Sequence, residues 1–270
     1  MTAFVADSEA QARFIQARNQ LIWRKRLLPL AALAGLLILW WASVKIFGIR
    51  PFIAPSPDAV VMMLWRKLDI LMANLAPTAI EAVAGFILGN VAAIATATVF
   101  VHRRMIAEAF FPIAVMINTI PVVAKAPILV LLLGNGMEPK IAIAALIVFF
   151  PTLVNMVRGL ESVNPQALEL MRVLSASKRE VFWKLRVYNS LPYLFSALKI
   201  AASMAVIGAI VGEWIGSNEG IGALIIQATY AFDTPLLYAT IIVGSTFSAC
   251  FFLVISAIER LVVRWDTSAH

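Results

Sequence analysis

A long polar segment separates two apolar runs at residues 161–192, and its sequence is ESVNPQALELMRVLSASKREVFWKLRVYNSLP. Asn164 followed by Pro165 is typical of a helix start, because the asparagine oxygen accepts a free backbone N–H and proline lacks the donor that a first turn leaves unused. Ser177 and Glu180 form the pattern of a capping box, in which each side chain accepts the backbone N–H of the other residue. The segment therefore predicts two short, capped helices.

The second of these helices is predicted to begin at Lys178, after a turn at Ser175 and Ala176. Apolar residues recur on it at three- and four-residue steps and so share one side. They are Val181, Phe182, Leu185 and Tyr188. The neighbouring face is basic. A rigid helix pair with an apolar stripe can dock on a partner protein, and the alternative is a helical hairpin that lies on the membrane surface.

The composition is that of a polytopic membrane protein. Of the 270 residues, 61% are hydrophobic and 14% are charged, whereas soluble domains carry about 25% charged residues. The mean hydropathy is +0.89. Six apolar runs have about the length of a spanning helix: 27–47, 78–101, 109–133, 139–158, 192–216 and 238–259. Residues 57–74 and 223–231 are predicted as shorter helices that do not cross. The sequence thus predicts an all-α membrane protein with one six-helix domain at 27–263.

The distribution of lysine and arginine predicts the orientation of the spans, since cytoplasmic loops retain positive residues. These residues are frequent before the first span, between the second and third, between the fourth and fifth, and after the sixth. The opposite side carries Lys45, Arg50, Arg66, Lys67 and Lys140. Both termini and the 161–192 segment are therefore predicted to be cytoplasmic. Residues 1–26 are predicted to be an amphipathic segment at the cytoplasmic membrane surface, with no cleavable signal peptide.

Charge and reactive residues argue against several other functions. The net charge of +7 is spread over all the cytoplasmic loops, so we expect membrane lipid and no nucleic acid as a partner. There is no G-x-x-x-x-G-K-[ST] phosphate loop. One cysteine, Cys250, and two histidines, His102 and His270, do not make a metal site or a catalytic triad. We therefore predict no catalytic residue, metal or cofactor in this chain.

The third predicted span contains Pro112, Pro121 and Pro127, which are expected to break it, and Lys125 lies between the last two. An unpaired ammonium at this depth is costly, so Lys125 is expected to face a cavity or a carboxylate. The alternative is a lysine that reaches the outer interface. The candidates for a translocation path are Asn118, Lys125, Ser203 and Glu213.

Other residues in the spans have structural interpretations. Glu81 is expected at the membrane boundary, and Lys199 is expected to reach the cytoplasmic interface. Glu213 precedes the loop SNEGIG and is expected to cap that turn or to pair with a basic group. Gly85 and Gly89 have the small-xxx-small spacing that lets another helix approach closely.

The 161–192 segment resembles the EAA loop of bacterial ABC-importer permeases, whose pattern is Glu-Ala-Ala, a glycine four residues later, and an Ile-x-Leu-Pro ending. The corresponding positions here are Glu169, Met171, Ser175, Leu185 and Val187. Ser175 replaces the turn glycine, and Tyr188 replaces the first proline. Serine can occupy a turn, but a positive φ costs it more than it costs glycine.

Further segments resemble the nitrate, sulfonate and taurine branch of these permeases: PSPDAVV at 55–61, APILVLLLGNG at 126–136, FFPTLVNMVRGL at 149–160 and GEWIGSNEGIG at 212–222. The resemblance implies the six-helix fold of a type I ABC importer permease that works by alternating access. It implies partner ATPase subunits, which bind ATP and Mg, docked on coupling helices at 165–188. The implied coupling residues are Glu169, Arg172, Ser175, Lys178, Val181, Phe182 and Leu185. A solute-binding protein and a second permease copy are the other implied partners.

The solute is predicted less sharply. The segment AFDTPLLYATIIVGS at 231–245 resembles permeases for thiamine-pyrimidine precursors and riboflavin more than those for nitrate or sulfonate. A pyrimidine- or flavin-type heterocycle is therefore favoured over a sulfonate- or nitrate-like anion. The alternatives are a secondary transporter or channel, for which the sequence shows no convincing internal symmetry, and a non-transporting subunit of a membrane complex. A stable ATPase partner would distinguish an ABC-importer permease from both alternatives.

Overall fold

The structure, a computed structural model, describes Trp23 and residues 27–263. All regular elements in this part of the chain are helices, as predicted. They are α1 (Leu27–Ile46), α2 (Pro57–Arg66), α3 (Leu68–His102), α4 (Arg104–Thr119), α5 (Val122–Leu133), α6 (Glu138–Glu161), α7 (Pro165–Val173), α8 (Lys178–Val181), α9 (Val187–Glu213), α10 (Ile221–Tyr230) and α11 (Thr234–Val262). A π-helical stretch, Phe182–Arg186, joins α8 to α9. The predicted amphipathic segment at 1–26 lies outside the described residues, apart from Trp23.

Five helical stretches in the described part of the chain are long and apolar enough to cross a membrane: α1, α3, α6, the continuous helix from Lys178 through α9, and α11. The α4–α5 pair passes the same test, although its two helices are bent by 100°. If this pair is counted as one broken span, the described part of the chain has six candidate spans, as predicted. The predicted helix at 57–74 is wrong beyond Arg66, because the chain breaks at Lys67 and the remainder forms the first turns of α3.

The bend between α4 and α5 lies at Ile120 and Pro121. Proline disfavours the helical conformation of the residue before it, and Ile120 is extended, with φ −68° and ψ 125°. Pro112 and Pro127 lie inside α4 and α5. The prediction that all three prolines break the span is therefore wrong at two of them, since a proline can remove one backbone hydrogen bond and bend a helix without ending it.

The centre of the bundle is formed by α3, α6 and α9, which approach very closely. A Cβ atom added to Gly85 or Gly89 of α3 would overlap α6, at Ala144 and Ala145. A Cβ atom on Gly208 of α9 would lie 2.7 Å from Ala144 Cα. The close approach predicted at Gly85 and Gly89 is thus confirmed, and α6 is the helix that fills the space.

A second group of buried side chains lies toward one end of the bundle, where α10 is held. Val60 of α2, Leu71 of α3, Ile221 of α10 and Ala239 of α11 belong to this cluster, and each is at most 1% exposed. The cluster fixes the loop between α9 and α10 against the ends of three other helices.

Two lysines have carboxylate partners on neighbouring helices: Lys199, which was expected to reach the cytoplasmic interface, and Lys140, which was counted on the outer side. Lys199 Nζ lies 2.7 Å from Glu259 Oε2 of α11. Lys140, counted above with the outer residues, is 7% exposed and lies against Glu81. In both cases a carboxylate on a neighbouring helix offsets the charge of the ammonium. The side of the membrane on which each lysine lies stays a prediction.

Candidate functional site

The hairpin of α7 and α8, residues 164–181, is capped as the sequence predicts. The Gln166 N–H donates to Asn164 Oδ1 at 2.9 Å, which starts α7. At the start of α8, the Ser177 N–H donates to Glu180 Oε2 at 3.0 Å and the Glu180 N–H donates to Ser177 Oγ at 3.3 Å. These two bonds complete the capping box, and α8 begins at Lys178 as expected.

The turn between the two helices is a Schellman motif. The Ser175 N–H donates to Arg172 O, and the Ala176 N–H donates to Met171 O, both at 2.9 Å. This motif needs a residue with positive φ just after the helix, and Ser175 occupies that place with φ +53°. Serine therefore holds the left-handed conformation that glycine adopts more easily.

The second helix of the hairpin is not a separate short helix, which corrects the prediction. From Lys178 the chain runs through the π-helical stretch Phe182–Arg186 into α9 without a break. Short π-helical stretches inside α-helices are uncommon and are often found at functional sites. A displacement of the hairpin would therefore act directly on a spanning helix.

The hairpin has two different faces. Glu169, Leu170 and Val173 are exposed on its outer face. The inner face borders a groove of about 420 Å³ between the hairpin and the end of α3. This groove is lined by Val101, His102, Leu168, Arg172, Ala176, Lys178, Val181, Phe182 and Arg186. We refer to it as the basic groove.

The predicted coupling residues are divided between these faces and the core. Glu169 points outward, Ser175 lies at the exposed turn, and Leu185 is half-buried. Arg172, Lys178, Val181 and Phe182 line the basic groove. Phe182 is only 9% exposed and packs into the α3–α6 core, so it supports the hairpin from beneath.

Two of the predicted path residues line one cavity. Lys125 of α5 and Asn118 of α4 border a space of about 270 Å³. Its other walls are mainly apolar and include Phe100, Phe110, Phe149 and Phe150. We call this space the aromatic cavity. Among the described residues, Lys125 has no carboxylate or hydrogen-bond partner for its ammonium group.

The other two predicted path residues lie elsewhere. Ser203 lines a separate space of about 590 Å³ between α9 and α11, together with Ser245 and Ser248. Glu213 is 1% exposed and forms part of a buried ionic group. The four predicted path residues therefore do not form one site.

This buried ion cluster consists of Glu81 of α3, Lys140 of α6 and Glu213 at the end of α9. Lys140 Nζ lies 3.3 Å from Glu81 Oε1 and donates to Ser217 Oγ at 2.8 Å. Glu81 is 1% exposed, and no described residue donates a hydrogen bond to either of its carboxylate oxygens. Glu81 does not face the lipid head groups, because its side chain is buried against Lys140; its depth at the membrane boundary stays a prediction.

Glu213 caps the loop that leads into α10, one of the two roles expected for it. Its carboxylate accepts hydrogen bonds from Thr78 Oγ1 and from the Gly222 N–H, each at 2.5 Å. Thr78 Oγ1 in turn accepts the Ile221 N–H at 2.8 Å. Gly220, with φ +110°, leaves space beside the Glu213 carboxylate that a side chain would fill. The loop is thus tied to α3 and α9 at once.

The sequence contains one signal for this cluster. Glu81 stands one helical turn before Gly85 and two before Gly89, and so shares their face of α3. Because the glycine face was expected to pack against another helix, Glu81 should have been expected there too. Lys140 stands in the same relation to Ala144 on α6. The pairing of the two faces could not be read from either helix alone.

The comparisons with known proteins agree with this architecture. The family model described as the binding-protein-dependent transport system inner membrane component matches residues 85–265. The chain belongs to this family. It is therefore an ABC-importer permease of the bacterial inner membrane, and the matched region runs from the glycine face of α3 to the end of α11.

The permease is similar to curated proteins over most of its length. It is 35% identical to the formylaminopyrimidine transport permease protein ThiX of Halalkalibacterium halodurans, over 85% of this chain and 92% of that one. It is 32% identical to the riboflavin transport system permease protein RibX of Chloroflexus aurantiacus, over 86% and 88%. The putative aliphatic sulfonates permease protein SsuC of Bacillus subtilis is 25% identical, over 93% and 91%.

A solved structure shares the fold of the permease. It is an inward-facing conformation of the MetNI methionine ABC transporter, with a TM-score of 0.57 and 17% identity. The match covers 77% of this chain and 98% of that chain. At this identity the likeness shows the fold alone.

Proposed function

We propose that the chain is the transmembrane subunit of an ATP-driven importer that moves a small, planar, polar solute into the cytoplasm by alternating access. Two copies form the pathway, separate ATPase subunits bind ATP and Mg, and a solute-binding protein delivers the solute. The hairpin lies on the cytoplasmic side. Family membership supports the ATPase and solute-binding partners and favours this function over a secondary transporter.

The observation that carries this proposal is the construction of the hairpin. Its two helices are capped at both starts and joined by a Schellman turn. Its second helix is continuous with a spanning helix. Movement of a docked ATPase would therefore be transmitted to the spanning helix α9 by a continuous helix rather than by a flexible loop. The exposed outer face around Glu169 is the surface we assign to the ATPase.

Charge reversal on this surface tests the proposal. We expect Glu169→Lys to reduce co-purification of the cognate ATPase at least about tenfold, since a desolvated interface tolerates misplaced charge poorly. Glu219→Lys is the matched control, because Glu219 is also exposed and lies in the loop before α10, at the other end of the bundle. If both variants retain the ATPase as the wild type does, the docking face has been wrongly assigned.

The residues that line the aromatic cavity favour a heterocyclic solute. Four phenylalanines line it and can stack on a planar ring. The Lys125 ammonium can donate to a ring nitrogen or carbonyl, while the Asn118 amide both donates and accepts. The relatives with 32–35% identity carry the names of pyrimidine and riboflavin systems. We assign the solute to this class rather than to the aliphatic sulfonates.

Uptake competition tests the solute class. Reconstituted with its ATPase and solute-binding protein, the importer should take up a labelled aminopyrimidine or flavin, and an excess of aliphatic sulfonate should not compete. The reverse pattern would reject the heterocycle and leave the importer assignment intact. Absence of ATP-dependent uptake of the ligand that the solute-binding protein carries would reject the importer itself.

A further inference from the structure

The basic groove has the composition of an anion site. Arg172, Lys178 and Arg186 come from α7, α8 and the π-helical stretch, and all three line it. No carboxylate is among the described residues that line it. The nearby carboxylate Glu180 is occupied elsewhere, since it closes the capping box and lies 3.1 Å from Lys184 Nζ. Three positive charges therefore share one concave surface without compensation from the described side chains that line it.

The shape of the groove is partly fixed by the protein. Arg186 is half-buried, and its Nη1 donates to Leu160 O at 3.2 Å, which holds the guanidinium in place. His102 Nδ1 donates to Thr98 O at 2.7 Å, and its ring lies 4.8 Å from the ring of Phe182. A held guanidinium loses less side-chain entropy on binding an anion than a free one.

The rest of the groove is apolar, and this favours an amphiphilic ligand. Val101, Leu168 and Phe182 line it beside the cations. The groove lies at His102, the last residue of the spanning helix α3. The next helix, α4, begins with exposed apolar residues, Met105 and Ile106. A ligand with a phosphate group and an attached hydrocarbon chain matches both parts of this surface.

We propose that the basic groove binds the phosphate group of an anionic phospholipid, whose acyl chains continue along α4. The ligand lies on the inner face of the hairpin and leaves the outer face around Glu169 free for a partner protein. Basic pockets between spanning helices are known to accept such head groups. The bound phosphate offsets part of the positive charge of Arg172 and Lys178 and steadies the hairpin against α3.

The test counts the lipids retained by the purified full-length permease in detergent, by native mass spectrometry, with phosphatidylglycerol and phosphatidylcholine offered together. The wild type is expected to retain phosphatidylglycerol at least about tenfold better. Arg172→Gln with Lys178→Gln should weaken its binding about 30-fold, since each cation near the membrane contributes about fivefold. Arg179→Gln with Lys184→Gln removes the same charge from exposed positions outside the groove and should change binding less than about threefold.

Each alternative has its own outcome. Equal losses in the two double variants would indicate diffuse surface attraction and overturn the proposal, as would no loss in either. Displacement of the lipid by millimolar inorganic phosphate at constant ionic strength would assign the groove to a free anion. Unchanged lipid binding with lost ATPase association in the groove variant would assign it to the ATPase. Arg172→Lys keeps the charge and should bind within about threefold of the wild type, which separates charge loss from misfolding.

Discussion

Replacement of Lys140 by methionine should destabilise the permease strongly. The ammonium is buried and lies 3.3 Å from Glu81 Oε1. At that distance the attraction is about 5 kcal/mol in an effective dielectric constant of about 20. The change leaves Glu81 and Glu213 buried without a cation, and breaking such a pair from one side costs about 3–5 kcal/mol. We expect a loss of that size in the free energy of unfolding, measured by SDS titration in mixed micelles and followed by circular dichroism.

Two further variants make this reasoning refutable. Lys45→Met removes an exposed lysine from α1 and should cost no more than about 0.5 kcal/mol. Lys140→Met combined with Glu81→Gln leaves only Glu213 without a cation, and this carboxylate keeps its hydrogen bonds from Thr78 and Gly222. The double variant should therefore recover at least half of the loss, because the coupling of two contacting groups is not additive. Glu81→Gln alone is measured as well, to complete the cycle. The reasoning is refuted if Lys140→Met unfolds like the Lys45 control, or if the double variant loses the sum of the Lys140→Met and Glu81→Gln losses.

Three other predictions follow from the geometry. Ser175→Gly should raise the free energy of unfolding by about 0.5–1 kcal/mol, because glycine adopts the positive φ of this turn without steric cost; a lower melting temperature would contradict the Schellman assignment. In a Cys250→Ala background, cysteines at Ser175 and Asn218 should react with an impermeant maleimide from opposite sides of the membrane, and labelling from the same side would reject the orientation. Lys125→Met should reduce transport several-fold with unchanged stability, since no described carboxylate pairs with its ammonium; normal uptake would remove Lys125 from the path.

What could be predicted from the sequence depended on how local each interaction is. The hairpin caps join residues two to five positions apart, so Asn164 and the Ser177–Glu180 pair predicted the helix starts correctly. The apolar runs likewise predicted the spans to within a few residues at most ends. Lys140 and Glu81 lie on different helices, and nothing near either residue specifies the partner. The ion pair could therefore not be predicted, although Lys140 and Glu81 lie against each other in the structure.

The buried ion cluster also has a consequence for biogenesis. α3 is synthesised well before α6, so Glu81 enters the membrane without Lys140, and an unpaired carboxylate within a spanning helix is costly to insert. α3 is thus held weakly until α6 is inserted and its Ala144 and Ala145 pack against Gly85 and Gly89 of α3. We expect a nascent chain arrested before α6 to release α3 from the bilayer more readily than its Glu81→Gln counterpart, as alkaline extraction would measure. Equal extraction of the two chains would mean that Glu81 is shielded by the translocation machinery until its lysine is made.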